Sequence, residues 1–219
     1  MQRQGGSMSC KNWMEYRDYL LAGEWHVHTK YSDGDNTVDE YCRLAVRLGL
    51  PLIVFSEHVR RTMDYDFHAL LRDVELARRR YAGLIILAGC EASVLESGEL
   101  DAPEEVLELS QMVLMAFHSF PPDVDRYHDA LRIALANPKV DIWAHPGLFL
   151  GRNGLSLDAR RLRGALDAAR ENNVLIELNA KYGLPPKEWL DVAGPGACLV
   201  RGSDAHSVED LEKTARSAR

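Results

Sequence analysis

The stretch Trp25–Gly34, W-H-V-H-T-K-Y-S-D-G, decides how the chain is read. His26 and His28 stand two residues apart. Side chains alternate along an extended strand, so positions i and i+2 share one face about 7 Å apart. Two imidazoles placed that way can hold one metal ion, and the S-D-G turn beyond them can bring Asp33 back over it. An H-x-H taken alone is more often two histidines that happen to share a strand face. The rest of the chain shifts that balance, because histidines and carboxylates recur at the ends of one expected strand after another.

Outward from that stretch the pattern is a strand–helix alternation. Lys11 to Leu21 carries Trp13, Tyr16 and Leu20 at helical spacing and predicts a short helix closing one end of the domain. Glu24 to His28 is the first strand. Thr37 to Glu40, T-V-D-E, is a capping box, and Val38, Tyr41, Cys42, Ala45 and Leu48 form the apolar face of the helix it opens, which Gly49 ends. Pro51 to Phe55 is a continuous apolar run, as a strand covered on both faces of a parallel sheet requires. Helical stripes at Phe67–Tyr81, Tyr127–Leu135 and Leu162–Ala169 alternate with strands expected at Leu84–Ala88, Met112–Phe117, Val140–Ala144, Val174–Leu178 and Cys198–Arg201. Ser93 to Asp101 reads as a small hairpin, after which Pro103 opens a helix. Seven strands with helices between them imply parallel βα units, in an open doubly wound sheet or a closed barrel. A complete eight-fold barrel averages about 250 residues, so seven short units suit 219 residues better.

The strand ends carry the chemistry. In order they supply His26 and His28 with Asp33 in the following loop, His58 from S-E-H, Glu91 from G-C-E, His118 from F-H-S, His145 from A-H-P-G, and Asp204 and His206 from S-D-A-H. Six of the eight histidines occupy this one class of position, which makes chance placement a poor explanation. In a barrel these positions meet at one face, where active sites form. Imidazole and carboxylate ligands suit zinc, manganese or iron, and the absence of thiolates disfavours a structural zinc. Nine ligands exceed what one ion takes and suit two or three divalent ions with positions open for water and substrate.

Composition narrows the partners. The net charge is −7, so no basic footprint advertises nucleic acid, although a metal centre reverses the local charge and admits a small anion. No apolar run approaches a membrane span, and nothing at the N-terminus resembles a signal peptide. Cys10, Cys42, Cys90 and Cys198 are scattered without a C-x-x-C pair and read as reduced thiols of a cytoplasmic protein. Residues 1–10 read as a disordered leader and 11–219 as a single domain; oligomeric state is left open.

Taken together, H-V-H-T-K-Y-S-D-G, E-H, G-C-E, F-H-S, A-H-P-G and S-D-A-H resemble the motifs of the PHP family, named for its polymerase and histidinol phosphatase members. The resemblance looks closest to the PHP module of bacterial family X DNA polymerases and to free-standing phosphatase relatives. It implies a distorted (β/α)7 TIM-like barrel with a trinuclear site at the C-terminal ends of the strands. Carried over motif by motif, His26, His28, Glu91 and Asp204 would hold one ion. Glu91 would bridge to a second, held by His118 and His145, and Asp33, His58 and His206 would hold the third. Some relatives have histidine in place of Asp33; an aspartate there is also common in the family and leaves the metal open.

The expected activity is hydrolysis of a small phosphate monoester by a metal-bridging hydroxide. Three divalent ions against three carboxylates leave roughly +3 on ordinary ionisation states, which attracts a phosphate dianion. Glu91 would hold two ions together, and Asp204 or His206 would move the proton. Arg60 and Arg61 follow His58 and are candidate phosphate ligands, though an Arg pair in a loop is equally a solvated surface feature. Lys181 and Arg152 are further candidates from the loops after strands six and five. Glu177 shares a face with Asn179 and is either a partner of a metal ligand or a satisfied polar residue of the barrel interior. His68 and His128 fall within helices and read as surface residues, and Lys30 and Tyr31 are near the site by sequence only. The competing readings are a phosphodiesterase or 3′–5′ exonuclease, and a non-catalytic metal-binding scaffold. Scaffolds tend to lose ligands, and here all nine are present.

Overall fold

Seven runs of β-branched and apolar residues form seven strands, and the polar-faced segments between them return as helices. A computed structural model describes residues 11–217; the leader and Cys10 lie outside the described residues. In chain order the elements are a 3-10 helix Asn12–Tyr19, β1 Glu24–Val27, α1 Val38–Leu48, β2 Leu52–Val59, α2 Phe67–Arg80, β3 Ile85–Ser93, α3 Glu104–Leu109 and β4 Met112–Ala116. They continue with α4 Val124–Leu135, β5 Ile142–Trp143, α5 Leu148–Arg152, α6 Ala159–Glu171, β6 Leu175–Asn179, α7 Lys187–Ala193, β7 Leu199–Gly202 and α8 Val208–Ser217.

The strands pair in sequence order, β1 through β7, every neighbour parallel. The ring is nearly closed. Val27 bridges to Ala205, with His28 N donating to Ala205 O at 2.9 Å and Ala205 N to His26 O at 3.3 Å. Beneath that seam the buried Glu24 carboxylate accepts from Ser203 N at 2.7 Å and His26 N at 3.3 Å. Of the two architectures the alternation allowed, the barrel is the one formed.

Alternation sorts the interior into layers. Along β2, Leu52 and Val54 share a face with Ser56 and His58, and along β3 Leu87 shares one with Glu91. Their lower, apolar halves pack with Trp25, Met112, Leu114, Ile142, Leu175 and Val200 into a core inside the ring. A larger apolar layer fills the space between strands and helices. The same strand faces that are apolar at the bottom turn polar at the top, so one alternation builds both core and site.

Several boundaries differ from the sequence expectation. The N-terminal helix is a 3-10 helix with a kink at Tyr16 (φ −110, ψ 16). Its residues Trp13, Tyr16 and Tyr19 are spaced by three, which a 3-10 helix eclipses along one line, and all three pack on the inner core. Trp13 Nε1 also donates to Asn173 O at 2.9 Å, closing the lower end as expected. β2 and β3 pair in continuous register to Val59 and Ala92, so His58 and Glu91 sit within strands rather than past their ends. β5 is only two residues long. The Thr37–Glu40 capping box and the Ser93–Asp101 hairpin form as expected.

One buried charge outside the mouth makes stability pH-dependent. Asp141 is 4% exposed, and burial raises its carboxyl to about 6, against the amide of Val113 and the charge of Lys11. The folded chain therefore keeps a proton that the unfolded chain has released, so stability falls as pH rises from about 4 through about 6. Asp141→Asn keeps an acceptor for the Val113 amide and removes the buried charge. Measured by urea unfolding, its stability relative to wild type is expected to grow by up to about 3 kcal/mol between pH 4 and pH 7.

Candidate metal centre

The upper ends of the strands bring together all nine expected ligands. Glu91, 1% exposed, lies at the middle. Its Oε1 is 2.8 Å from His145 Nε2, 3.4 Å from His118 Nε2 and 3.5 Å from His26 Nε2. Its Oε2 is 2.9 Å from His58 Nδ1 and 3.6 Å from His28 Nε2. Asp204 Oδ1 faces His28 Nε2 at 3.5 Å and His26 Nε2 at 3.8 Å. At the outer side Asp33 meets His206 Nε2 at 3.4 Å and His58 Nε2 at 3.6 Å.

Three groupings are compact enough to hold an ion: His26, His28 and Asp204; His58, Glu91 and His118; and His28, Asp33, His58 and His206. They share members, so His28 and His58 stand between neighbouring positions. His145 reaches the cluster through Glu91.

The donor set fits metal ions. His26 Nε2 and His28 Nε2 face each other at 3.0 Å, while His26 Nδ1 is engaged with Glu177 Oε1 at 2.7 Å. That leaves the two Nε2 lone pairs converging, as on one ion with nitrogen ligands at about 2.0–2.1 Å. The buried His28 Nδ1 has no hydrogen-bond partner among the described residues, and Glu91 Oε2, though close to His58, makes no hydrogen bond. Buried polar atoms left unpaired are costly.

The electrostatics set the protonation each candidate ligand starts from. Burial, opposed by the contact with Asp204, lowers His28 to about 3, so its ring is neutral and offers a lone pair. Burial alone would raise Glu91, but His118, His26 and His58 outweigh it and hold the carboxyl well below the usual range. His26 runs the other way: burial would lower it, yet Glu177 and Glu91 keep it well above its ordinary value, so its Nε2 carries a proton that an ion would have to displace. Asp33 is held low by its hydrogen bond with His206.

Local structure explains the placement. Ser32 N and Gly34 N both donate to Thr29 O, at 3.2 and 2.9 Å, folding the S-D-G turn back toward the mouth. A Cβ on Gly34 would lie 2.3 Å from His28 O, so only glycine permits this turn. Glu57 clamps the turn from β2, accepting from Thr29 N at 3.0 Å and from the Ser32 hydroxyl at 2.6 Å. His145 and Asp204 both adopt positive φ, 29° and 50°, a strained backbone of the kind that clusters at functional sites.

Glu177 resolves the choice the sequence left open. It binds His26 Nδ1, accepts from the backbone N of His145, and is itself held by Asn179 Nδ2 at 3.2 Å. It approaches so closely across β7 that a Cβ on Gly202 would lie 1.9 Å from Glu177 Oε1. Sequence reasoning missed Glu57, and also Ser93, whose hydroxyl meets His118 Nδ1 at 2.9 Å. Ser93 was legible in principle, being two residues past Glu91 on the same strand face.

The expected substrate-binding residues separate. Arg60 lines a groove of about 360 Å³ beside Asp33, His58 and His118, together with Met63, Asp64 and Tyr65. Arg61 turns away to Glu99 at 2.8 Å and does not line that groove. Lys181 Nζ reaches Asp204 O at 3.1 Å, His206 Nδ1 at 3.3 Å and Asp204 Oδ2 at 3.5 Å. Arg152 Nη2 lies 3.5 Å from the Tyr182 hydroxyl. His68 pairs with Glu105 on the surface and Tyr31 with Asp73, both apart from the cluster.

The PHP domain family matches residues 24–181, a span that holds every candidate ligand except Asp204 and His206. The chain belongs to the PHP family. It is 28% identical over 204 residues to DNA polymerase/3′-5′ exonuclease PolX of Bacillus subtilis, covering 88% of this chain but 35% of that protein. It is 31% identical over 206 residues to a probable phosphatase of Caldanaerobacter subterraneus, covering 87% of this chain and 78% of the relative. Among solved structures it resembles histidinol phosphate phosphatase of Lactococcus lactis, crystallised with zinc, L-histidinol and phosphate. The TM-score is 0.66 at 15% identity, over 90% of this chain and 94% of that one, a likeness of fold. As a PHP protein with histidine and carboxylate groupings compact enough to hold an ion, the chain is a metal-dependent phosphoesterase.

Two variants probe the centre. Glu91→Ala is expected to lower the metal content per chain, as counted by inductively coupled plasma mass spectrometry. Glu177→Ala leaves every candidate ligand in place but frees the His26 ring, and is expected to weaken metal affinity about 10- to 100-fold in a chelator competition.

Proposed function

We propose that the chain hydrolyses a small phosphate monoester at a trinuclear centre. His26, His28, Glu91 and Asp204 hold one ion. Glu91, His118 and His145 would hold a second, and Asp33, His58 and His206 a third. The observation that carries this reading is the convergence of His26, His28, His58, His118 and His145 on Glu91, with Asp204 facing His26 and His28 and Asp33 facing His58 and His206. Divalent zinc, manganese or iron would supply charge neutralisation of the phosphate and a nucleophilic water at neutral pH.

The remaining work falls to this chain's side chains. Lys181 presents an ammonium beside Asp204 and offers a second positive contact to phosphate oxygen. Asp204 directs Oδ1 at His26 and His28 and leaves Oδ2 toward Lys181, so Oδ2 is the oxygen placed to exchange a proton with the reacting groups. His206, with Nδ1 held by Asp204 O at 3.0 Å, keeps Nε2 aimed at the outer position. The groove beside Asp33 receives the leaving group, with Arg60 its one lining cation among the described residues.

The size of that groove and the net charge of −7 favour a small substrate over a nucleic-acid strand. No helix among the described residues is long and apolar enough to cross a membrane. Free Cys42, Cys90 and Cys198 support a cytoplasmic setting. The likeness to PolX supports a second reading, 3′–5′ exonuclease activity.

Phosphate release by manganese- or zinc-loaded protein separates these. The panel holds histidinol phosphate, nucleoside monophosphates, sugar phosphates and a short oligonucleotide. One monoester is expected to turn over far faster than the rest, with activity abolished by chelation and restored by the ion. Cleavage of the oligonucleotide alone establishes the nuclease, and no turnover with metal fully bound establishes a scaffold.

A further inference from the structure

Arg152 ends α5, after β5, and Lys181 lies in the loop after β6, yet both approach one side chain. The Arg152 guanidinium carbon and the Lys181 nitrogen each lie 5.4 Å from the centroid of the Tyr182 ring. The ring sits edge-on to His145 at 6.3 Å, so this group stands beside the candidate ligands. Tyr182 is 37% exposed, at the rim rather than in the core.

Its position is rigidly set. Tyr182 N donates to Asn179 Oδ1 at 3.0 Å, and Asn179 in turn holds Glu177, which orients His26 and His145. Asn179 and Leu184 exchange backbone hydrogen bonds at 2.8 and 3.1 Å, closing the loop that carries Lys181 and Tyr182. On the other side Leu148 N donates to His145 O at 3.0 Å, so α5, which ends at Arg152, hangs directly from a candidate ligand.

The charges around this ring are unbalanced. Lys181 faces Asp204, but Arg152 makes no ion pair among the described residues; its one polar partner is the Tyr182 hydroxyl. Two cations held near one ring repel each other. The ring quadrupole attracts each of them, and an anion at the mouth would pair with Arg152, the cation that has no carboxylate partner among the described residues. We propose that Tyr182 is a positioning residue for phosphate capture, its ring holding Arg152 and Lys181 together at the mouth so that both meet the phosphate group of the substrate. This rests on the phosphoesterase reading above.

The test measures binding of inorganic phosphate to manganese-loaded protein by calorimetry, which needs no turnover, alongside KM and kcat for the best monoester. Tyr182→Leu is expected to weaken phosphate binding and raise KM about fivefold, with kcat within about twofold. Tyr182→Phe, which keeps the ring, restores wild-type values. Arg152→Ala repeats the loss, and the double variant Tyr182→Leu/Arg152→Ala loses less than the product of the two single effects. Wild-type phosphate affinity in Tyr182→Leu overturns the proposal, as does an equal loss in Tyr182→Phe or multiplicative effects in the double variant. Loss of bound manganese from Tyr182→Leu overturns it too, since the ring would then support His145. If the wild type turns over no monoester but binds phosphate with this variant pattern, the monoester reading fails and Tyr182 keeps its role. If it binds no phosphate, both fail.

Discussion

A carboxylate buried among imidazoles governs this molecule. Glu91 is out of contact with water, and removing an anion from water is expensive unless positive charge or strong donors surround it. Here His26, His28, His58, His118 and His145 close around its two oxygens from five directions. Those histidines belong to β1 and its following loop, to β2, and to the loops after β4 and β5, so the arrangement exists only when the sheet has curved into a ring. The lower half of the barrel is an ordinary apolar core, and its stability supports the unfavourable burial above it.

Around that centre lies a set of groups with no ligand role of their own. Glu177 ties His26 and the backbone of His145 together across three strands. Gly202 leaves the space that Glu177 occupies. Glu57 pins the turn that carries Asp33, and Ser93 engages the far nitrogen of His118. Each removes rotational freedom from a ring or loop that would otherwise have several orientations, and such restraint raises both the affinity and the selectivity of a multi-ion site. The seam between β7 and β1 belongs to the same set. Regular pairing is sparse there, and the Glu24 carboxylate joins the strands just below His26 and Asp204.

Much of this was legible along the chain. An alternating or continuous apolar run specifies a strand, and polar residues at the end of such a run have few structural reasons to be there. His26, His28, His58, Glu91, His118, His145 and Asp204 therefore stood out without any coordinates. The helix caps were equally local: Thr37 and Glu40 satisfy each other within one turn. The N-terminal helix formed where the spacing placed it, but its 3-10 form was not legible, because α and 3-10 spacings differ by less than one residue per turn. What selected the 3-10 form was the surface that Trp13, Tyr16 and Tyr19 cover.

The sequence by itself determined the seven βα units, the nine polar residues at or just past the strand ends and the absence of a basic footprint, since each depends on composition or on short-range periodicity. The tertiary structure alone decided between open sheet and barrel, because closure depends on a seam between residues nearly 180 positions apart. It also decided which arginine faces the site. Arg60 and Arg61 are chemically identical neighbours, and only the hairpin that brings Glu99 to Arg61 distinguishes them. Glu177 and Tyr182 acquire their roles in the same way. Each acts through a contact across strands or loops, and such contacts have no periodicity to announce them.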